Sequence, residues 1–264
     1  MLREEFTGNA QGPRETLLPP VPAGRPWGFW ATLGFGALAM ALGIAALFAV
    51  SFLGMILMTA FQDSGLQSSQ VNEAYGNEAI MVLAYGVFCT CMILFVFLFA
   101  SLRRGMNLTA YLALNTVPLR NLALWLGVAL VLKVAYLLLC AALNLPLACA
   151  TPGIFRNDSG LVRLAFALPL LDAVSAALYF QGFLFAGFQS SRIGTPGAIV
   201  LIAAIYMALC MGNSAHEMIQ DMTEMLLVTT ARWHTKSLYP VMSMVALTAM
   251  LESAAILLLK LPVA

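Results

Sequence analysis

The chain has 264 residues, of which 61% are Ala, Val, Ile, Leu, Met, Phe, Trp, Tyr or Cys and only 9% are charged. A soluble domain carries about 25% charged residues, so this composition leaves too little charge to coat a solvated surface and defines an integral membrane protein. Its 13 basic and 12 acidic residues are scattered between apolar runs, which excludes the basic stripe of a nucleic-acid binder.

Residues 1–27 hold charge and proline without an apolar core, and read as a disordered cytoplasmic leader rather than a signal peptide. Residues 28–264 then read as a single transmembrane helical domain. A helix needs roughly 20 apolar residues to cross a bilayer core of about 30 Å, and charges and turn residues divide the remainder into about seven spans. They run Gly28–Phe61, Ala79–Ser101, Leu122–Leu147, Leu161–Phe188, Pro196–Met211, Met218–Trp233 and Tyr239–Leu261. The fifth is short and the sixth is short and polar; if that pair dips in without crossing, five spans remain. No ten-residue alternation suggests a barrel, so the expected fold is an all-α polytopic transmembrane helix bundle.

Arg103, Arg104, Arg120, Arg192, Arg232 and Lys236 fall on the same side as the leader, which places the N-terminus in the cytoplasm. Arg156, Arg163 and Lys260 fall on the other side. Cys89, Cys91, Cys140, Cys149 and Cys210 form an odd set without CxxC pairs and read as small apolar residues. Gly34, Gly36 and Gly43 in the first span suit close helix approach.

Span four contains Ala176-Ala177-Leu178-Tyr179-Phe180-Gln181-Gly182-Phe183-Leu184-Phe185, and Thr235-Lys236-Ser237-Leu238-Tyr239-Pro240 precedes the last span. With Leu102-Arg103-Arg104-Gly105, Tyr111-Leu112-Ala113-Leu114 and Pro118-Leu119-Arg120, the chain resembles the CPBP family of CAAX-processing and bacteriocin-processing intramembrane proteases. The resemblance implies a CPBP-like core over about 120–262, in a bacterial cytoplasmic (inner) membrane.

It also implies where catalysis would sit. Two adjacent glutamates and an arginine four residues beyond the second fall on Ala176, Ala177 and Gln181; an aromatic followed by histidine falls on Tyr206 and Cys210; a last-helix histidine and its small partner fall near Val245 and Ala249. None of these seven side chains is the family's catalytic group. Alanine and valine neither take a proton nor bind a metal, so the resemblance implies a pseudoenzyme whose hollow is stripped of acids and imidazoles. No cofactor or metal is expected.

Charged side chains inside spans cost roughly 2.5–3.5 kcal/mol each on insertion scales and are therefore candidates for a polar site: Asp172, Lys133 and Glu252. Lys133 either neutralises one of the carboxylates or snorkels, and the sequence does not choose its partner. Glu217, Asp221 and Glu224 share one helix face beside His216, but Gln220 stands where a zinc helix needs its second histidine. That face is expected to be solvated. His234, next to Trp233, reads as an interface anchor.

The leading expectation is an inactive family relative that binds, protects or regulates a membrane partner or peptide, with lipid around it. One alternative is an active endopeptidase using displaced Asp172, Glu217 or His216. Another is a small transporter with Asp172, Lys133 and Glu252 along its path.

Overall fold

A computed structural model describes residues 24, 26–63, 69–145, 164–211 and 214–259. These residues are helical with no strand among them. The helices are α1 (Phe29–Asp63), α2 (Ser69–Ser101), α3 (Leu108–Tyr111), α4 (Leu119–Leu143), α5 (Leu164–Ala176), α6 (Phe185–Gln189), α7 (Gly194–Leu209), α8 (Ala215–Thr235) and α9 (Tyr239–Leu259). Between α5 and α6 the chain continues without a break as a π-helix, Ala177–Leu184. The leader up to residue 23, together with Arg25, Cys149, Arg156, Arg163 and Lys260, lies outside the described residues.

Among the described residues, five segments are long and apolar enough to cross a membrane: Phe29–Ala60, Ile80–Ser101, Leu119–Leu143, Ala167–Gln189 and Tyr239–Ile256. Two of the seven expected spans do not meet that standard. α7 has 16 residues, about 24 Å at 1.5 Å per residue, and α8 carries Glu217, Asp221, Glu224 and Arg232. The other boundaries shift by a few residues, except that α2 starts ten residues before Ala79.

Local chemistry sets the ends. Asn144 closes α4 with φ 51°, a left-handed conformation that asparagine tolerates. Ser214 and Glu217 form a reciprocal capping box that starts α8. Pro240 sits in the first turn of α9, where a missing N–H breaks no helical bond.

The fourth apolar segment is the axis of the bundle. Two thirds of its span window (67%) is buried, against 6% for α1, whose Phe48, Phe52, Leu53 and Met55 point outward as lipid-facing side chains do. α1 and α2 form a hairpin in which Gly43 leaves room for Phe88 and Met92. Gly36 admits Leu184 and Gly34 faces open space, so two of the three glycines expected to make close approaches do so, and Gly54, also in α1, makes another against Ile80. A β-carbon on Gly187 would stand 1.8 Å from the Thr32 hydroxyl, so α1 and α6 meet nearly backbone to backbone.

The segments carrying the family resemblance meet at one end of the bundle. Leu238 N–H donates to Ala113 O (3.0 Å), the Ser237 hydroxyl donates to Asn115 O (2.5 Å), and Asn115 Nδ2 donates to Lys236 O (3.2 Å). Trp27 Nε1 donates to Phe99 O and the Arg103 guanidinium lies 5.1 Å from the Trp27 ring at the same end. His234 there is exposed and packs on Trp125 at 5.9 Å.

Candidate functional site: an acid-lined cavity

A cavity of about 160 Å³ lies between α4, α5 and its π-helical continuation, α7, α8 and α9. Six of the seven motif-equivalent positions line it: Ala176, Ala177, Gln181, Tyr206, Val245 and Ala249. Cys210, which caps α7, does not. Asp172, Lys133, Glu252 and Glu217 line the same space, as do Asp221 and Glu224. His216 stays outside, its Nδ1 2.9 Å from the Ser214 hydroxyl.

The expectation of a hollow without titratable groups is therefore corrected. The motif-equivalent side chains carry no carboxylate or imidazole, but acids arrive from one turn earlier on α5 and from α8 and α9. The face formed by Glu217, Asp221 and Glu224 looks inward instead of to solvent, and Glu217 is 5% exposed. Five of the chain's 12 acids thus line the same cavity as Lys133, the single basic residue in the wall among the described residues.

Position along the helices explains why these groups need a cavity. Lys133 is 14 residues from the start of α4, Glu252 is 13 from the start of α9 and Glu224 is 11 from the end of α8, all measured from the shared end. At 1.5 Å per residue they sit roughly 17–21 Å deep, where charges persist only in polar surroundings.

Lys133 Nζ is 2.6 Å from Glu252 Oε2 and 3.9 Å from Glu224 Oε2. The partner that sequence left open is thus Glu252, with Glu224 behind it. Glu224 also accepts from the Thr248 hydroxyl (2.5 Å) and from Gln220 Nε2 (3.3 Å). Among the described residues Asp172 meets neutral donors, the Tyr85 hydroxyl and the Cys89 thiol, the latter at 3.8 Å. Glu217 Oε2 accepts the Ser214 N–H at 2.8 Å, while Oε1 is buried without a hydrogen-bond partner among the described residues.

The π-helix is the feature that sequence reading missed, because no residue pattern in Ala177–Leu184 announces the wider turn. Such turns concentrate at functional sites. Its residues are all buried. The Gln181 carbonyl accepts from Arg232 Nε (3.2 Å), Gln181 Nε2 contacts Met225 Sδ (2.9 Å), and the Tyr179 hydroxyl donates to Gly36 O (3.0 Å). Gln181 therefore ties the fourth apolar segment to α8 from both its backbone and its side chain.

Among the described residues, no group of three His, Cys, Asp or Glu side chains is arranged to hold a metal ion. The wall offers oxygen acceptors in excess of donors, which suits a cationic guest or protons. Comparison with known proteins finds no matching family model, no matching curated protein and no matching solved structure. What the fold and cavity define, among the described residues, is a helical membrane-type bundle with five helices suited to a membrane and an acid-lined chamber within it.

Proposed function

We propose that this chain is a CPBP-like membrane protein without peptidase chemistry of the family type, and that its cavity holds a cationic group of a membrane partner or peptide. The observation that carries the reading is that Asp172, Glu217, Asp221, Glu224 and Glu252 share one chamber with Lys133. Like charges sharing one chamber repel, so a wall with more acids than ammonium groups gains from a second cation. A lysine or arginine on an entering helix supplies that charge and escapes its own burial cost.

Support for the family likeness is that the quoted loop segments pair at one end and that six motif-equivalent positions share a wall. Support for inactivity is that Ala176, Ala177, Val245 and Ala249 have no group that exchanges protons. In this reading five helices cross a bacterial inner membrane, α7 and α8 form an intramembrane hairpin, and the arginine-rich end with the N-terminus faces the cytoplasm.

The test uses the full chain purified in detergent with transmembrane and prenylated peptides that do or do not carry a central lysine. The reading expects no cleavage, and saturable binding of the lysine peptide that Asp172→Asn and Glu217→Gln weaken. Turnover abolished by either substitution would instead support the second reading, an endopeptidase whose acids have moved. That alternative rests on Asp172 and Glu217 lining the cavity one turn or one helix away from the motif positions.

A further inference from the structure

A second hollow, of about 240 Å³, opens at the arginine-rich end and is chemically the reverse of the first. Its wall includes Pro26, Met106, Tyr111, Gln189, Ser190 and Arg232, and no acidic residue among the described residues. Arg232 is 6% exposed. Its Nε donates to Gln181 O, and its guanidinium carbon lies 5.7 Å from the Phe185 ring centroid. The two terminal nitrogens have no hydrogen-bond or ion-pair partner among the described residues, although their side chain lines the hollow.

An isolated cation is costly to bury, and the only other basic residue buried among the described residues, Lys133, has carboxylates beside it. A planar guanidinium with its terminal edge free matches the two oxygens of a phosphate group and forms two parallel bonds with it. The hollow also lies at the end of the bundle where the Arg103 guanidinium stands 5.1 Å from the Trp27 ring, the setting in which basic side chains meet lipid headgroups.

We propose that this second hollow is a phosphate-binding site built on Arg232, occupied by the headgroup of an anionic membrane lipid or by free phosphate. The site does not depend on the acid-lined chamber or on its guest. Gln189 and Ser190 rim the site and offer polar side chains to a bound phosphate, while Met106 and Tyr111 line its wall.

The experiment titrates the full chain in detergent with dihexanoyl phosphatidic acid, dihexanoylglycerol and inorganic phosphate, and follows its unfolding midpoint. Phosphatidic acid is expected to raise the midpoint saturably and dihexanoylglycerol to leave it unchanged. A saturable response to inorganic phosphate as well identifies a soluble source for the same chemistry. Arg232→Gln should weaken the response roughly tenfold or more, since hydrogen bonds to a charged group are lost, while Arg104→Gln should not. Ala110→Phe fills the hollow from its exposed rim with Arg232 intact, and should abolish the response even if Arg232→Gln fails to fold. Equal responses to phosphatidic acid and dihexanoylglycerol, or a parental response in Ala110→Phe, would overturn the proposal.

Discussion

Lys133 and Arg232 are both buried basic side chains of one bundle, 3% and 6% exposed, yet their surroundings are opposite. Lys133 has a carboxylate at 2.6 Å and another at 3.9 Å, in a chamber where acids outnumber it. Arg232 has a carbonyl oxygen and an aromatic ring. Removing the first strands its partners; removing the second strands only a carbonyl that an extra water or a shifted donor can satisfy. The same burial therefore predicts different losses, because the cost of deleting a charge is set by what it leaves behind.

The largest expected effect follows from that asymmetry. Lys133→Met should destabilise the protein by about 3 kcal/mol, the low end for a broken buried pair because the Glu252 and Glu224 side chains are 25% and 23% exposed. Thermal unfolding followed by circular dichroism in detergent reads it. Pairing the change with Glu252→Leu should recover most of the loss. A single-variant cost below about 0.5 kcal/mol, the range of ordinary surface substitutions, would show that the pair is not structural.

Next comes a steric test near the arginine. Gly187→Ala would place a β-carbon 1.8 Å from Thr32 Oγ1 and 2.6 Å from Thr32 Cβ, in a side chain that is fully buried. Despite the usual helical gain of alanine over glycine, about 1 kcal/mol, overpacking should leave a net loss of about 2 kcal/mol. Thr32→Ala removes the hydroxyl but not the Cβ, so it should rescue only part of the defect. A neutral Gly187→Ala would mean that α1 and α6 are not seated as tightly as described. Third in size, Arg232→Met in phosphate-free detergent should cost about 1 kcal/mol, the value of the bond to Gln181 O. A loss matching that of Lys133→Met would reveal an anionic partner for the guanidinium and dissolve the contrast.

These contrasts were only partly legible in the sequence. Apolar run length located the helices, since bilayer thickness and backbone hydrogen bonding leave few other solutions. Spacing put Glu217, Asp221 and Glu224 on one face, but periodicity fixes which residues share a face and not which way that face points. Direction is decided by contacts distant in the chain, such as Lys133 with Glu252, 119 residues apart. The expectation that the face was solvated failed for that reason: a lysine on α4 and a threonine on α9 meet Glu224, and the face turns toward them. The alanines at Ala176 and Ala177 carry no acid of their own, and their identity says nothing about neighbours able to supply acids to the same hollow. The π-helix was invisible because it alters backbone pitch without altering composition.

The smallest expected stability effect is also the one that best separates ligand binding from folding. Glu217 caps α8 through Oε2, while Oε1 is buried without a partner. Glutamine preserves the carbonyl acceptor that a capping box requires, so Glu217→Gln should change stability by less than about 0.5 kcal/mol. It removes one negative charge from a chamber whose excess of acids is the proposed attraction for a cation. Binding of the lysine-bearing peptide should therefore fall while the unfolding midpoint holds, a divergence that a purely structural glutamate would not produce. Ser214→Ala is the complementary control: it deletes the hydroxyl side of the same capping box, should cost about 1 kcal/mol of stability, and should leave peptide affinity unchanged at temperatures where the protein is folded. If both variants lose stability and affinity in proportion, Glu217 acts through the helix start alone and the chamber's charge is not what recognises the guest.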